Sequence, residues 1–183
     1  ARRDRNIITA ADLNFINPRD IKKDEFVNFY SAVSFANHEG YTLNAFVTVC
    51  WELLGIKTKT DSRQESAYYS KFIKPLSSWL QERNIPVRWV YSNEYSVKSR
   101  FHTHYLIHIP ESHCDEFNIY LKKLFIKINQ AWEYNQNSVD IQIDHRMDLT
   151  KQWTLFRYIC KGIDRHAKIK GNNNNEAWIY DLI

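Results

Sequence analysis

Two short stretches of this sequence contain residue types that could do chemistry together. In the first, "EYSVKSRFHTH", an acid at Glu94 precedes two histidines, His102 and His104. In the second, "YICK", the phenol of Tyr158 lies three residues before the ammonium of Lys161. Imidazole and carboxylate groups are common metal ligands, and a phenol can act as a nucleophile when a neighbouring site assists it. The question is whether a metal centre and a tyrosine act on the same substrate.

The first stretch is typical of a β-hairpin, with strands over residues 85–95 and 100–110. His102 and His104 then share one face of their strand, about 6.5 Å apart along it. A turn centred on Lys98 places Glu94 directly opposite His102 on that face, with Cβ atoms about 5 Å apart. Two imidazoles and one carboxylate suit Mn²⁺ or Mg²⁺ better than a thiolate-bound zinc. The alternative interpretation is that both histidines are ordinary half-exposed strand residues.

The second stretch falls in a predicted helix over residues 150–165, with Thr150 as its N-cap. A helical wheel places Tyr158, Lys161 and Arg165 on the face opposite the apolar residues Trp153, Phe156, Cys160 and Ile163. Tyr158 is therefore either an exposed residue on a basic stripe or a nucleophile for a phosphodiester, with the two cations offsetting phosphate charge. An unperturbed phenol has a pKa of about 10, so the second interpretation needs help from a metal site.

The remaining elements indicate an α+β fold with a largely antiparallel sheet. Helices are predicted at residues 21–39, at 61–84 with a kink or break at Pro75, and at 111–135. Further strands are predicted at residues 43–54 and 138–147.

Length and composition favour one globular domain, residues 1–183. Apolar residues make up 44% of the chain, and the net charge of +4 is compatible with an anionic partner without requiring one. The cysteines Cys50, Cys114 and Cys160 form no C-x-x-C pair, which favours a reducing compartment over a disulfide scaffold. The sequence shows neither a signal peptide nor a membrane span, so we predict an intracellular protein, cytoplasmic if the host is prokaryotic.

In order and spacing, these motifs resemble those of the HUH superfamily of single-strand DNA nickases, especially the single-tyrosine Rep type that initiates rolling-circle replication. The apolar strand "FVTVCW", from Phe46 to Trp51, looks like the first motif of that superfamily. His102 and His104 with Glu94 match the second motif, and Tyr158 with Lys161 matches the third. Thr103 departs from the pattern, because a bulky apolar residue usually stands between the histidines.

The resemblance implies a central antiparallel sheet of about five strands with flanking helices. It also implies that Tyr158 cleaves single-stranded DNA at an origin or hairpin and stays joined to the 5′-phosphate, assisted by Lys161. Glu94, His102 and His104 would hold the metal, and no nucleotide cofactor would be needed. The chain would be a nuclease domain, compatible with the N-terminal part of a longer Rep protein.

Residues that could contact DNA are found among the cations and the aromatics. The basic candidates are Lys98, Arg100, Lys161, Arg165, Lys168 and Lys170. Trp51, Trp89 and Tyr91 could stack on bases, although most tryptophans are expected in the core.

Three alternatives stay open from the sequence. One is a transposase or relaxase of a mobile element with the same fold. Another is a non-catalytic DNA-binding module. The third is a metal-dependent hydrolase, which would leave "YICK" without a role.

Overall fold

A computed structural model describes residues 23–56, 69–96, 100–131, 133–135, 137–160, 168–170 and 176–178. Its α-helices are α1 (Lys23–His38), α2 (Lys74–Glu82), α3 (Cys114–Ile128) and α4 (Leu149–Ile159). Its strands are β1 (Ala45–Cys50), β2 (Trp89–Ser96), β3 (Arg100–Ile107), β4 (Val139–Ile143), β5 (Lys168–Lys170) and β6 (Glu176–Trp178). A π-helical turn (Tyr69–Ile73) leads into α2, and a short 3₁₀ helix (Glu111–His113) leads into α3.

The main sheet has four antiparallel strands in the order β2-β3-β1-β4, and β5 pairs with β6 in a separate sheet. The predicted α+β class and antiparallel sheet are confirmed, with four rather than five strands in this sheet. The predicted hairpin register is also confirmed, because Glu94 pairs with His102 across β2 and β3. The histidine strand β3 is interior to the sheet, which protects both of its edges from solvent.

Each face of the sheet is covered by its own pair of helices. On one face, α2 and α3 pack on alternate strand residues such as Val47, Val49 and Tyr105. On the other face, α1 and α4 pack on Phe46 and Leu106. Because side chains alternate along a strand, His102 and His104 lie on the α1–α4 face, with Phe46 and Thr48 of β1 beside them.

Two predictions about helix ends are changed by the structure. Asp148, and not Thr150, is the N-cap of α4, since its carboxylate accepts a hydrogen bond from the backbone N–H of Lys151. Pro75 lies in the first turn of α2, where the missing N–H costs no helical hydrogen bond. The change from π-helical to α-helical geometry therefore coincides with the predicted break.

Thr103 is buried on the face opposite the histidines, where it forms part of a polar chain. Its hydroxyl accepts a hydrogen bond from the Trp51 indole N–H and donates one to the side-chain carbonyl of Asn93, both at 2.8 Å. Trp51 is fully buried, so the prediction that it stacks on DNA bases is wrong. Trp89 also packs on the α2–α3 core, away from the histidine face.

Thr103→Val is expected to lower the free energy of unfolding by about 1–3 kcal/mol, because it strips the Trp51 N–H and the Asn93 carbonyl of a buried partner. Urea unfolding followed by tryptophan fluorescence measures this change. Thr103→Ser keeps the hydroxyl and loses only a methyl group, so it serves as the control. A valine variant as stable as the parent would show that the polar chain contributes nothing.

The three cysteines are free and buried. None of the described helices is long and apolar enough to cross a membrane.

Candidate metal centre and tyrosine site

Glu94, His102 and His104 form a buried cluster in the middle of the sheet. Glu94 Oε2 lies 3.3 Å from Nε2 of His102 and 3.4 Å from Nε2 of His104. One ligand atom from each residue lies within 4.8 Å of the other two. The strand pairing creates this convergence, since His102 lies opposite Glu94 and His104 follows two residues later on the same face.

The donor set fits a divalent metal ion. Bond lengths of about 2.1 Å in octahedral coordination place neighbouring ligand atoms about 3 Å apart, close to the separations from Glu94 to the two histidines. A buried carboxylate also needs positive charge or hydrogen-bond donors near it, and a cation would provide the charge. Two nitrogens and one oxygen, without a thiolate, favour a harder ion than structural zinc sites bind.

Thr48 holds His104 from behind. Its Oγ1 lies 2.9 Å from Nδ1 of His104, and the two residues pair directly across β1 and β3. When Nε2 of a histidine binds a metal, Nδ1 carries the ring proton and donates it to such a partner, which fixes the ring orientation. Thr48 lies in the stretch that resembles the first motif, so the structure suggests a physical reason for a hydroxyl there.

Thr48→Val is expected to weaken Mn²⁺ binding by roughly 10- to 100-fold, the usual cost of losing a hydrogen-bond partner behind a metal ligand. Isothermal titration calorimetry measures the affinity directly. Thr48→Ser retains the hydroxyl and should bind within a few-fold of the parent. Equal Mn²⁺ affinity in the valine and serine variants would contradict this role.

Tyr158 lies in the last turn of α4 and packs against the cluster. Its ring contacts His104 edge-on, with centroids 5.2 Å apart, and Phe46 at 6.0 Å. Phe46 in turn stacks on His104 at 5.7 Å. The side chain is still 46% exposed. The sequence predicted that Tyr158 points away from the core; the structure shows it half-exposed, with one side of its ring on the histidine strand.

Two neighbouring residues are poor candidates for the same chemistry. Cys160 is buried, and burial raises the pKa of its thiol to about 12, so it is protonated and a weak nucleophile at neutral pH. His108 lies outside the cluster, as predicted, and its Nδ1 donates to the carbonyl of Thr42 at 2.8 Å. Tyr158 is therefore the better-placed nucleophile of this helix.

The structure does not reach all of the predicted site residues. Lys98, Lys161 and Arg165 lie outside the described residues. Arg100 is in β3, and Lys168 and Lys170 are in β5, but their side chains are likewise outside what the structure describes. Their DNA-binding roles stay predictions.

A family model for replication-associated proteins of the ORF2 type matches residues 44–166. The chain belongs to this family of rolling-circle replication initiators. The matched span runs from β1 past α4 and contains Glu94, His102, His104, Tyr158 and Lys161. The Glu-His-His cluster of this Rep family member is compatible with an HUH motif. Neither the curated proteins nor the solved structures contain a significant match to the chain.

Sequence reasoning missed two residues of the site, Phe46 and Thr48. Both face the cluster because β1 is the neighbour of β3 in the sheet, and the sequence did not establish that pairing. Alternation along "AFVTVC" separates Phe46 and Thr48 from Val47 and Val49, so a correct strand order would have pointed to them.

Proposed function

We propose that this Rep family member nicks and rejoins single-stranded DNA at a specific site, with Tyr158 as the nucleophile. The observation that carries the proposal is the contact of the Tyr158 ring with His104, a member of the Glu94-His102-His104 cluster. A half-exposed phenol beside a buried donor set for a divalent cation is the arrangement that such a reaction needs.

In the proposed reaction, Tyr158 Oη attacks the phosphorus of the scissile phosphodiester. The bond from phosphorus to the 3′-oxygen breaks, the phenol loses its proton, and the 3′-oxygen gains one. The products are a free 3′-OH and DNA joined to Tyr158 through its 5′-phosphate. Attack of a 3′-OH on the phosphotyrosine reverses the step and rejoins a strand. Because the phosphotyrosine conserves the energy of the broken bond, no nucleotide cofactor is required.

Each residue has a separate part in this proposal. Phe46 and His104 bracket the Tyr158 ring and restrict where its hydroxyl can lie. Lys161, one turn further along the chain, would offset charge on the phosphate. Glu94, His102 and His104 would hold Mn²⁺ or Mg²⁺, and an ion there would supply Lewis-acid stabilisation of charge on the phosphate oxygens.

The proposal links the chemistry to the family. A nick with a free 3′-OH provides a primer, which is what initiation of rolling-circle replication requires. The protein would act where the replicating DNA is, in the cytoplasm of a prokaryotic host. A flexible single strand is the expected substrate because its backbone can bend toward a largely buried cluster.

A covalent-capture experiment tests the proposal. The protein is incubated with a fully randomised single-stranded DNA library and Mn²⁺, then separated on a denaturing gel. We expect a slower protein band that disappears after nuclease digestion, is absent with EDTA and is absent with the same library made double-stranded. Binding without any covalent band would support the non-catalytic alternative instead.

A further inference from the structure

A cleft lies along the edge strand β4, next to the tyrosine site. Its volume is about 540 Å³, within the range of roughly 300–1,000 Å³ that is usual for ligand sites. Strand β4 and the following turn form one wall, and Lys151 and Leu155 of α4 form the other. Phe46 also lines the cleft, and the same ring contacts His104 and Tyr158. The cleft is thus continuous with the proposed catalytic site.

The charges in the cleft favour an anion. Arg146 and Lys151 are exposed there, and Lys151 forms an ion pair with Asp144. The Lys151 ammonium and the backbone N–H of Arg146 lower the pKa of Asp144, so this carboxyl stays ionised and offsets the Lys151 charge. Arg146 is the remaining cation among these three, and its guanidinium suits a phosphate.

The cleft also has an apolar surface and a polar group that could contact a base. Met147 and Leu155 are half-buried and supply apolar contact area. Gln142 lies opposite Phe46 in the sheet, and its Nε2 donates to the carboxylate of Asp140 at 2.6 Å. A carboxylate only accepts hydrogen bonds, so this contact fixes the amide orientation. The amide oxygen and the second N–H of Gln142 remain to pair with a base edge.

We propose that the β4–α4 cleft binds one nucleotide of the cleaved single strand, with Gln142 contacting its base and Arg146 its phosphate. This inference rests on the proposed function, because it takes the occupant to be the strand that Tyr158 attacks. Lys151, Leu155 and Tyr158 follow i, i+4, i+7 spacing and share one face of α4. The seven residues from Lys151 to Tyr158 span about 10 Å, so at about 3.4 Å per stacked nucleotide the base lies within about three nucleotides of the nick.

The test separates binding from cleavage. Tyr158→Phe protein is used to select bound sequences from a randomised single-stranded library without metal, and the bound DNA is sequenced. The selection is repeated after adding Gln142→Ala, with Gln81→Ala as the matched control on the opposite layer. We expect a base preference of about fivefold or more at one position, lost with Gln142→Ala and retained with Gln81→Ala. An unchanged preference with Gln142→Ala, or no preferred base in the parent selection, would overturn the assignment.

A second measurement addresses the phosphate. Binding of the selected oligonucleotide is followed by fluorescence anisotropy over a range of salt concentrations. Arg146→Ala should weaken binding several-fold and reduce the salt slope by about 0.7, the value for one phosphate contact on a single strand. The control Lys127→Ala, an exposed cation of α3, should leave the slope unchanged. An unaltered slope with Arg146→Ala would remove Arg146 from the cleft's role.

The two proposals fail in different ways. If Tyr158 protein binds the selected sequence and never cleaves it with Mn²⁺, the proposed function fails while the cleft assignment stands as a binding site. If the parent protein cleaves the sequence and the Gln142 and Arg146 variants bind it like the parent, the reverse holds.

Discussion

Glu94→Gln is expected to lower Mn²⁺ affinity by more than about 100-fold, more than the loss of a partner behind a ligand costs. Glu94 is the only anion of the cluster, and its Oε2 lies between the two histidine Nε2 atoms. Glutamine keeps the shape and removes the charge, so the ion would be bound by neutral groups alone. Isothermal titration calorimetry gives the affinity of both proteins.

A matched carboxylate provides the control for this variant. Glu116 on α3 forms an exposed ion pair with Arg83 on the opposite layer of the fold. Glu116→Gln should therefore leave Mn²⁺ binding unchanged. Comparable Mn²⁺ affinity in Glu94→Gln and the parent would show that the cluster is a structural hydrogen-bond group and that any metal binds elsewhere.

Thermal stability gives an independent measure of the same site. A ligand that binds only the folded state stabilises it by about 2.7 kcal/mol at a concentration 100-fold above its Kd. The melting temperature of the parent should rise with Mn²⁺, whereas that of Glu94→Gln should not change at the same concentration.

Tyr158→Phe is expected to reduce nicking by at least about 10³-fold and to abolish the covalent product. Removing the nucleophile of a covalent mechanism leaves only what binding and charge stabilisation give a water molecule. The ring contacts to His104 and Phe46 need no hydroxyl, so the fold and Mn²⁺ affinity should stay within a few-fold of the parent. Nicking is measured as release of a labelled fragment from an oligonucleotide that the parent cleaves.

Tyr134→Phe is the control for the tyrosine prediction. Tyr134 is 48% exposed, close to the 46% of Tyr158, but contacts Lys122 rather than the cluster. Its loss should leave nicking unchanged. Metal-dependent cleavage at the parental rate in Tyr158→Phe would mean that water or another side chain is the nucleophile.

The metal cluster was predictable from the sequence because a hairpin converts spacing into geometry. Two histidines at i and i+2 must share a face, and the position of the turn alone decides which residue lies opposite them. Glu94 opposite His102 therefore followed from placing the turn at Lys98, and the register confirms it.

The contacts between distant elements were not predictable in the same way. The helical wheel placed Tyr158 correctly relative to Phe156 on its own helix, but it carried no information about where α4 lies on the sheet. Once α4 packs on the histidine face, the side of the helix opposite Phe156 still reaches Phe46 and His104 at the sheet surface.

Side-chain hydrogen bonds explain two further differences. Asp148 and Thr150 are both good cap residues, and only the backbone geometry shows that the Asp148 carboxylate reaches the N–H of Lys151. Trp51 was a candidate for base stacking, but the hydroxyl of Thr103 gives its indole N–H a buried partner, which lets the ring enter the core.

The most direct test of the account is to identify the residue that becomes joined to DNA. The covalent product formed with Mn²⁺ is digested with trypsin and nuclease, and its peptides are sequenced by tandem mass spectrometry. The account predicts a nucleotide on Tyr158, attached through its 5′-phosphate and absent when EDTA is present. A nucleotide on a different residue, or cleaved DNA that carries an unattached 5′-phosphate and no protein, would contradict it.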